Sequence, residues 1–154
     1  MKHNHKALVA GVAMLIGLAG FAAAEKGAKA MKKDVVMTAD AVAWKDGPAK
    51  GTKMAALWGD MDKDGPYGVL IKFDAGITHP LHWHTSNLKI VVISGTFVHK
   101  PEGGQETRLG PGSYLMQAGG LKHVSGCAAD APCEFLMTSG GKFDMNIVGS
   151  SKGK

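Results

Sequence analysis

The sequence predicts one antiparallel all-β domain, a sandwich or barrel, carrying an N-terminal arm. Three observations predict it. From residue 53 onward, short runs of strand formers recur; turn residues separate them at close spacing; and no convincing helical period appears after residue 50. At 154 residues the chain is long enough for one domain.

The first 24 residues differ from the rest. Lys2 and Lys6 form a positive start, an apolar run follows from Ala7 to Phe21, and Ala22-Ala23-Ala24 supplies a small-residue cleavage pattern before Glu25. This predicts a signal peptide over 1–24 and a periplasmic or secreted mature chain from Glu25 to Lys154. The alternative is an uncleaved anchor over the uncharged stretch Ala7 to Ala24, which its glycines and terminal alanines oppose. The mature chain holds 16 Lys+Arg against 13 Asp+Glu, a net charge of +3. That charge is too small and too dispersed for a nucleic-acid partner. Lys26, Lys29, Lys32 and Lys33 cluster in the arm, over 25–50, and read as a solvated segment rather than a membrane-surface patch. No membrane partner is expected after cleavage.

The barrel is expected over 51–148. Its strands are Lys53–Trp58, Tyr67–Phe73, Leu88–Ser94, Thr96–His99, Ser113–Gln117, Lys122–Ser125 and Glu134–Thr138, with a flexible tail over 149–154. Between them stand KDGP, DAG, SG, PEGG, GPG, AGG and DAPC, all turn chemistry. Val35–Trp44 is ambiguous between strand and short helix. The stretch DMDKDG, Asp60 to Gly65, matches the opening of a calcium loop, but position twelve is Ile71 where a bidentate Glu belongs. It reads as a hairpin turn. The mature methionines are dispersed singly as core filling, and Trp58, Trp83 and Phe97 read as packing residues.

Cys127 and Cys133 enclose five residues including Asp130 and Pro132. In an exported chain such a pair predicts a disulfide stapling a hairpin, a thiolate metal ligand being the sharper alternative.

Five histidines remain after processing: 79, 82, 84, 99 and 123. Residues two apart on a strand share a face, so His82 and His84 point together while Trp83 points away. Two imidazoles directed into a small barrel are poor core residues unless something satisfies them, and a metal does so. Alternate polar residues on a solvated strand would look the same. His79 is off that face if the strand is regular, and reads as rim; His99, before KPEGG, reads as surface.

The surroundings carry more. Gly76, His82 and His84, with a strand ending at Gly95, form one half of a pattern; Gly112, Ala118, Gly120, His123 and Cys127 form the other. With this spacing the chain resembles the cupin superfamily, whose motifs are G-x5-H-x-H-x3/4-E-x6-G and G-x5-P-x-G-x2-H-x3-N. AALWGDMDKDGPYGVLIKF, VVISGTF and LGPGSY resemble a group of small bacterial cupins without assigned activity. The likeness spans about residues 51 to 139. It implies a double-stranded β-helix, the cupin jelly-roll barrel, with a metal held by His82, His84 and His123. The motif's Glu falls at Leu88, its Pro at Ala118 and its Asn at Cys127. Asn87, Gln117 and His79 are candidate supporting or weak fourth ligands.

Three neutral imidazoles suit one divalent transition metal, Fe, Zn, Cu or Ni, better than Mg or Ca. A site of charge +2 favours an anionic or chelating small-molecule substrate or ligand. The resemblance implies a metal-dependent oxygenase, acting on a small diketone-like or phenolic compound. A non-enzymatic module that binds a small ligand or the metal is the second reading, and a metal-free barrel with hydrogen-bonded histidines the third. No further acid or base stands out in the motifs, Glu134 lying on the cysteine hairpin. A homodimer is compatible with the resemblance.

Overall fold

The computed structural model describes residues 33–149. The segments predicted as signal peptide and most of the tail lie outside these residues. Two units divide between Val36 and Met37, and the second, described here, contains every strand.

Two antiparallel sheets face each other. One has the order β1-β2-β3-β10-β5-β8, built from β1 (Lys45–Asp46), β2 (Thr52–Trp58), β3 (Tyr67–Phe73), β10 (Cys133–Ser139), β5 (Leu88–Ser94) and β8 (Tyr114–Gln117). The other has the order β11-β4-β9-β6-β7, built from β11 (Asn146–Ile147), β4 (His82–Trp83), β9 (His123–Cys127), β6 (Phe97–Pro101) and β7 (Thr107–Leu109). Successive strands alternate between the sheets along most of the chain, giving the double-stranded β-helix, or jelly roll, that the motifs imply.

The central strands form where period-two patterning meets β-branched and aromatic residues. β5 alternates Leu88, Ile90 and Val92 inward against Lys89, Val91 and Ile93 outward. β10 does the same with Cys133, Phe135, Met137 and Ser139 buried, and pairs with both β3 and β5. Phe73, Phe97 and Phe135 meet at ring distances of 4.9 to 6.5 Å in the centre of the core. Fully burying side chains of this size contributes about 1.5–3 kcal/mol each. Of the tryptophans expected to pack, Trp58 is 48% exposed. Its indole lies over Gly68, where a Cβ would collide with the ring.

Val35–Trp44, ambiguous by sequence, contains a three-residue 3-10 turn, Ala39–Ala41, flanked by extended Thr38 and Val42, and no strand. Chain beyond it joins the sheet through β1, where Lys45 and Asp46 pair with Met54 and Lys53. Asp60 to Gly65 is a tight turn between β2 and β3: Lys63 N–H donates to the Asp60 carbonyl, and Asp62 N–H to its carboxylate. An acid so used is a turn former. Cys127 and Cys133 are disulfide-bonded, with Cα atoms 5.9 Å apart, and tie β9 to β10 across the two sheets.

Candidate metal centre

The two-residue β4 is held from both sides: His82 pairs with His123 of β9 and with Ile147 of β11. Direct cross-strand neighbours on one face bring side chains together, and the His82 and His123 rings lie 4.2 Å apart. His84, two residues on, returns to the same face, its ring 4.9 Å from His82 and 5.4 Å from His123. All three are buried, and one nitrogen from each lies within 4.8 Å of the others. The H-x-H pair and the distant histidine therefore converge as the motif spacing implies.

Each ring is also oriented from behind. Nδ1 of His82 meets the Pro80 carbonyl at 2.7 Å, Nδ1 of His123 meets the Leu121 carbonyl at 2.9 Å, and Nδ1 of His84 meets the Asp144 carbonyl. A carbonyl only accepts, so each neutral ring must carry its proton on Nδ1 and present the Nε2 lone pair. Nε2 of His123 is buried with no hydrogen-bond partner. A buried orphan nitrogen calls for a water or an ion, and a cation beside three lone pairs fits it.

Burial, the main cause, pushes all three rings toward the neutral form, against the carbonyl bonds that favour charge. His123 is pushed down from the ordinary value of about 6.5 to about 4, chiefly by burial, with His82, His84 and His99 adding to the effect. Neutral imidazole is the ligand form.

Several placements correct the sequence reading. His79 is not rim: it is 9% exposed, its ring 4.8 Å from Phe73 and 6.1 Å from His82. His99 is not surface: it is half-buried on β6, with its ring 5.2 Å from His123. The physical reason is parity. His99 shares a face with buried Phe97, and the Thr78–Gly126 bridge with the following Pro80 breaks the regular strand assumed for His79. Asn87 does not support the histidines. It is exposed, and its side-chain oxygen accepts from Gly119 N–H at 2.8 Å. Gln117 is buried, paired with Leu88 across β5 and β8, and both line the cavity containing the histidines.

Asp144 is the functional residue that the motifs did not reveal. Its carboxylate accepts from Thr85 N–H at 2.8 Å, Thr85 Oγ1 at 2.6 Å and Asn146 Nδ2 at 2.9 Å. Partial burial works against ionisation, but these bonds hold its carboxyl below the usual range. So fixed, its backbone carbonyl is aimed at His84, and neighbouring Phe143 lies 5.2 Å from the same ring. Gly120 completes the support, donating its N–H to the His84 carbonyl from a left-handed conformation at φ 77° that glycine adopts without strain.

The His82 and His84 rings open on a cavity of about 530 Å³, with walls that include Met54, Ile71, Leu88, Ile90, Phe135 and Met137. No Asp, Glu, Lys or Arg lines it among the described residues.

A family profile for a domain of unknown function, DUF4437, matches residues 18–146. The chain belongs to the DUF4437 family. Among solved structures, this DUF4437 protein is similar to the polyketide cyclase RemF from Streptomyces resistomycificus, at 21% identity and TM-score 0.64, covering 79% of this chain and 89% of that one. It is similar to KdgF from Halomonas sp., at 20% identity and TM-score 0.57, over 69% and 94% of the two chains. It also resembles the DMSP lyase DddQ from Ruegeria pomeroyi DSS-3, at 19% identity and TM-score 0.59, over 75% of this chain and 64% of that one. Further neighbours are an RmlC-like cupin from Shewanella frigidimarina and a cupin-2 domain from Rhodospirillum rubrum. Identities this low show the fold, and that fold is the cupin. No curated protein matches the sequence. No helix among the described residues is long and apolar enough to cross a membrane.

Proposed function

We propose that this DUF4437 protein is an exported cupin that holds one divalent transition metal through Nε2 of His82, His84 and His123. On this reading it acts as a metal-dependent oxygenase on a small chelating substrate. The observation that carries the metal reading is the set of three buried imidazoles, each backed by a carbonyl at Nδ1, with donors mutually within 4.8 Å. A metal ligand's second nitrogen is characteristically fixed in this way. Iron, zinc, copper or nickel fits an all-imidazole set.

A bound metal would polarise a chelating oxygen and, if redox-active, bring O₂ beside it. The chain's own contribution is separate. Leu88, Ile90 and Met137 line the cavity with hydrocarbon, while the carbonyls of Pro80, Leu121 and Asp144 hold the rings at their angles. The cyclase and the lyase that share the fold are enzymes by name, which supports a small-molecule substrate here.

A second reading is a non-enzymatic module binding a small ligand or the metal. The apolar cavity with no charged wall favours it, since no lining Asp, Glu or Lys stands ready to move a proton. The deciding experiment is elemental analysis of protein purified without a histidine tag, followed by oxygen-electrode assays on phenolic and diketone compounds. Stoichiometric iron, copper or nickel with oxygen uptake supports the oxygenase, and metal without turnover supports the module. Protein that takes up none of the four metals on supplementation refutes the oxygenase and the metal-binding form of the module.

A further inference from the structure

We infer that His79 is a ligand-anchoring residue, whose Nδ1 hydrogen-bonds a second oxygen of a small, largely apolar anion that reaches the three-histidine centre with its first oxygen. The inference rests on the metal reading above and adds the class of ligand and the residue that selects it.

Within the fold His79 Nδ1 makes no hydrogen bond of ordinary geometry, although the Ser125 carbonyl lies close enough to favour the ring's charged form, an effect that burial outweighs. Its backbone N–H donates to the Ser125 carbonyl at 2.8 Å, and its ring packs on Phe73, which a phenyl ring would do equally well. Nδ1 nevertheless lies buried without a hydrogen-bond partner. Leaving such a nitrogen desolvated is unfavourable unless something pairs with it. His79 lines the cavity together with His82 and His84, so a molecule occupying that space can supply the partner. It is not a member of the close donor set, which comprises His82, His84 and His123 alone.

The walls define the rest of the molecule. Ile71, Leu88, Ile90 and Met137 present hydrocarbon, and no charged side chain lines the cavity among the described residues. Three neutral imidazoles leave a bound dication with its full charge, which an anionic oxygen would offset. Leu88 stands where the cupin motif has a carboxylate, so the ligand must bring the negative charge itself. The cavity, about 530 Å³, falls within the ~300–1,000 Å³ of small-molecule sites. An aromatic or short branched carboxylate or enolate with one further oxygen satisfies all of these conditions.

The test uses the full chain loaded with cobalt(II), whose visible bands report ligand binding. Benzoate is titrated against meta- and para-hydroxybenzoate, whose hydroxyl cannot chelate the metal that the carboxylate occupies. Wild-type protein should bind at least one hydroxybenzoate about fivefold or more tightly than benzoate, the size of one added hydrogen bond. His79→Phe keeps the ring against Phe73. It should retain cobalt and benzoate affinity, while its preference for the hydroxybenzoate falls to about twofold or less. His79→Gln, which can still hydrogen-bond, should recover part of the preference. Equal affinity for all three probes in wild type overturns the inference, as does an undiminished preference in His79→Phe. If the Phe variant does not fold, a wild-type preference surviving undiminished in His79→Ala overturns it. Cobalt retained without any response to benzoate sinks the anion class alone, whereas failure to retain cobalt sinks the metal reading beneath it.

Discussion

Replacing His84 with Ala separates a metal ligand from a structural histidine, because the two roles predict different magnitudes. The variant loses one of three donors lying within 4.8 Å of each other. Loss of a residue that merely supports a ligand costs about 10–100-fold in metal affinity, so loss of the ligand itself should cost about 100-fold or more. That is roughly 2.7 kcal/mol of binding free energy. The metal-free protein should suffer less. It forfeits the bond to the Asp144 carbonyl, worth about 1 kcal/mol net, and the ring contact with Phe143 at 5.2 Å. No sealed void forms, because the ring borders a cavity already about 530 Å³ in volume. The expected destabilisation is about 1–2 kcal/mol, below the ~3–5 kcal/mol of a core Phe→Ala change. Calorimetry should therefore show a melting point lowered by roughly 4–10 °C in the metal-free variant. Phe135→Ala, in the centre of the core, should fall much further. Elemental analysis after dialysis against a weak chelator should find metal in wild type and none in His84→Ala. A metal-free variant that is unfolded at room temperature would refute the reasoning, since His84 would then hold the fold. Undiminished metal content would refute it from the other side.

Asp144→Ala leaves its carbonyl in the chain but removes the bonds to Thr85 and Asn146 that aim it. Metal affinity should fall about 10–100-fold, with Asp144→Asn intermediate, and an unchanged dissociation constant would show that the carbonyl needs no such fixing. The metal-free protein should lose stability in mild acid. His123 in the fold titrates near 4, below the ordinary value of about 6.5, so the unfolded chain takes its proton first as pH falls. The stabilisation is complete above about pH 6.5 and declines toward pH 4, with about 2 kcal/mol lost by pH 5 from this residue. His79, His82, His84 and His99 shift the same way. Urea midpoints that do not move between pH 7 and pH 5 would contradict this. For export, intact mass of the purified protein should correspond to a chain beginning at Glu25, and a membrane-bound species retaining residues 1–24 would overturn the signal peptide.

The long strands were legible because local and tertiary demands agree in them. Tyr67–Phe73 and Leu88–Ser94 end at the residues expected, bounded by Gly and Asp-rich turns that cannot continue a strand. β1, β7 and β11 have two or three residues each and were missed, and the two-residue β4 was read only through its H-x-H pair. No period can be read in so few positions, and their extended form is imposed by the partners they pair with. Among the histidines, the motif spacing located 82, 84 and 123, whereas single-residue reasoning misplaced 79 and 99. The signal for His99 was present in its parity with Phe97. For Asp144 none existed: it acts on His84 through its backbone carbonyl, from 60 positions along the chain, and any residue type has a carbonyl.

That same dependence on backbone carbonyls means that no carboxylate is hydrogen-bonded to the three imidazoles. Carbonyls of Pro80, Leu121 and Asp144 fix the tautomer while adding no formal charge, and burial does the rest in keeping the rings neutral. With Leu88 in the acid's place, the opposite wall instead becomes part of the apolar core, 2% exposed and paired with Gln117. On the metal reading, the centre would have no counter-charge of its own in a cavity lined mainly by hydrocarbon, so the negative group that completes the shell would arrive with the ligand. On that reading, selectivity would then pass from the ligand set, which any borderline-soft metal satisfies, to the walls and to His79: its Nδ1, like that of His99, is buried without a hydrogen-bond partner, and of these two only His79 lines the cavity.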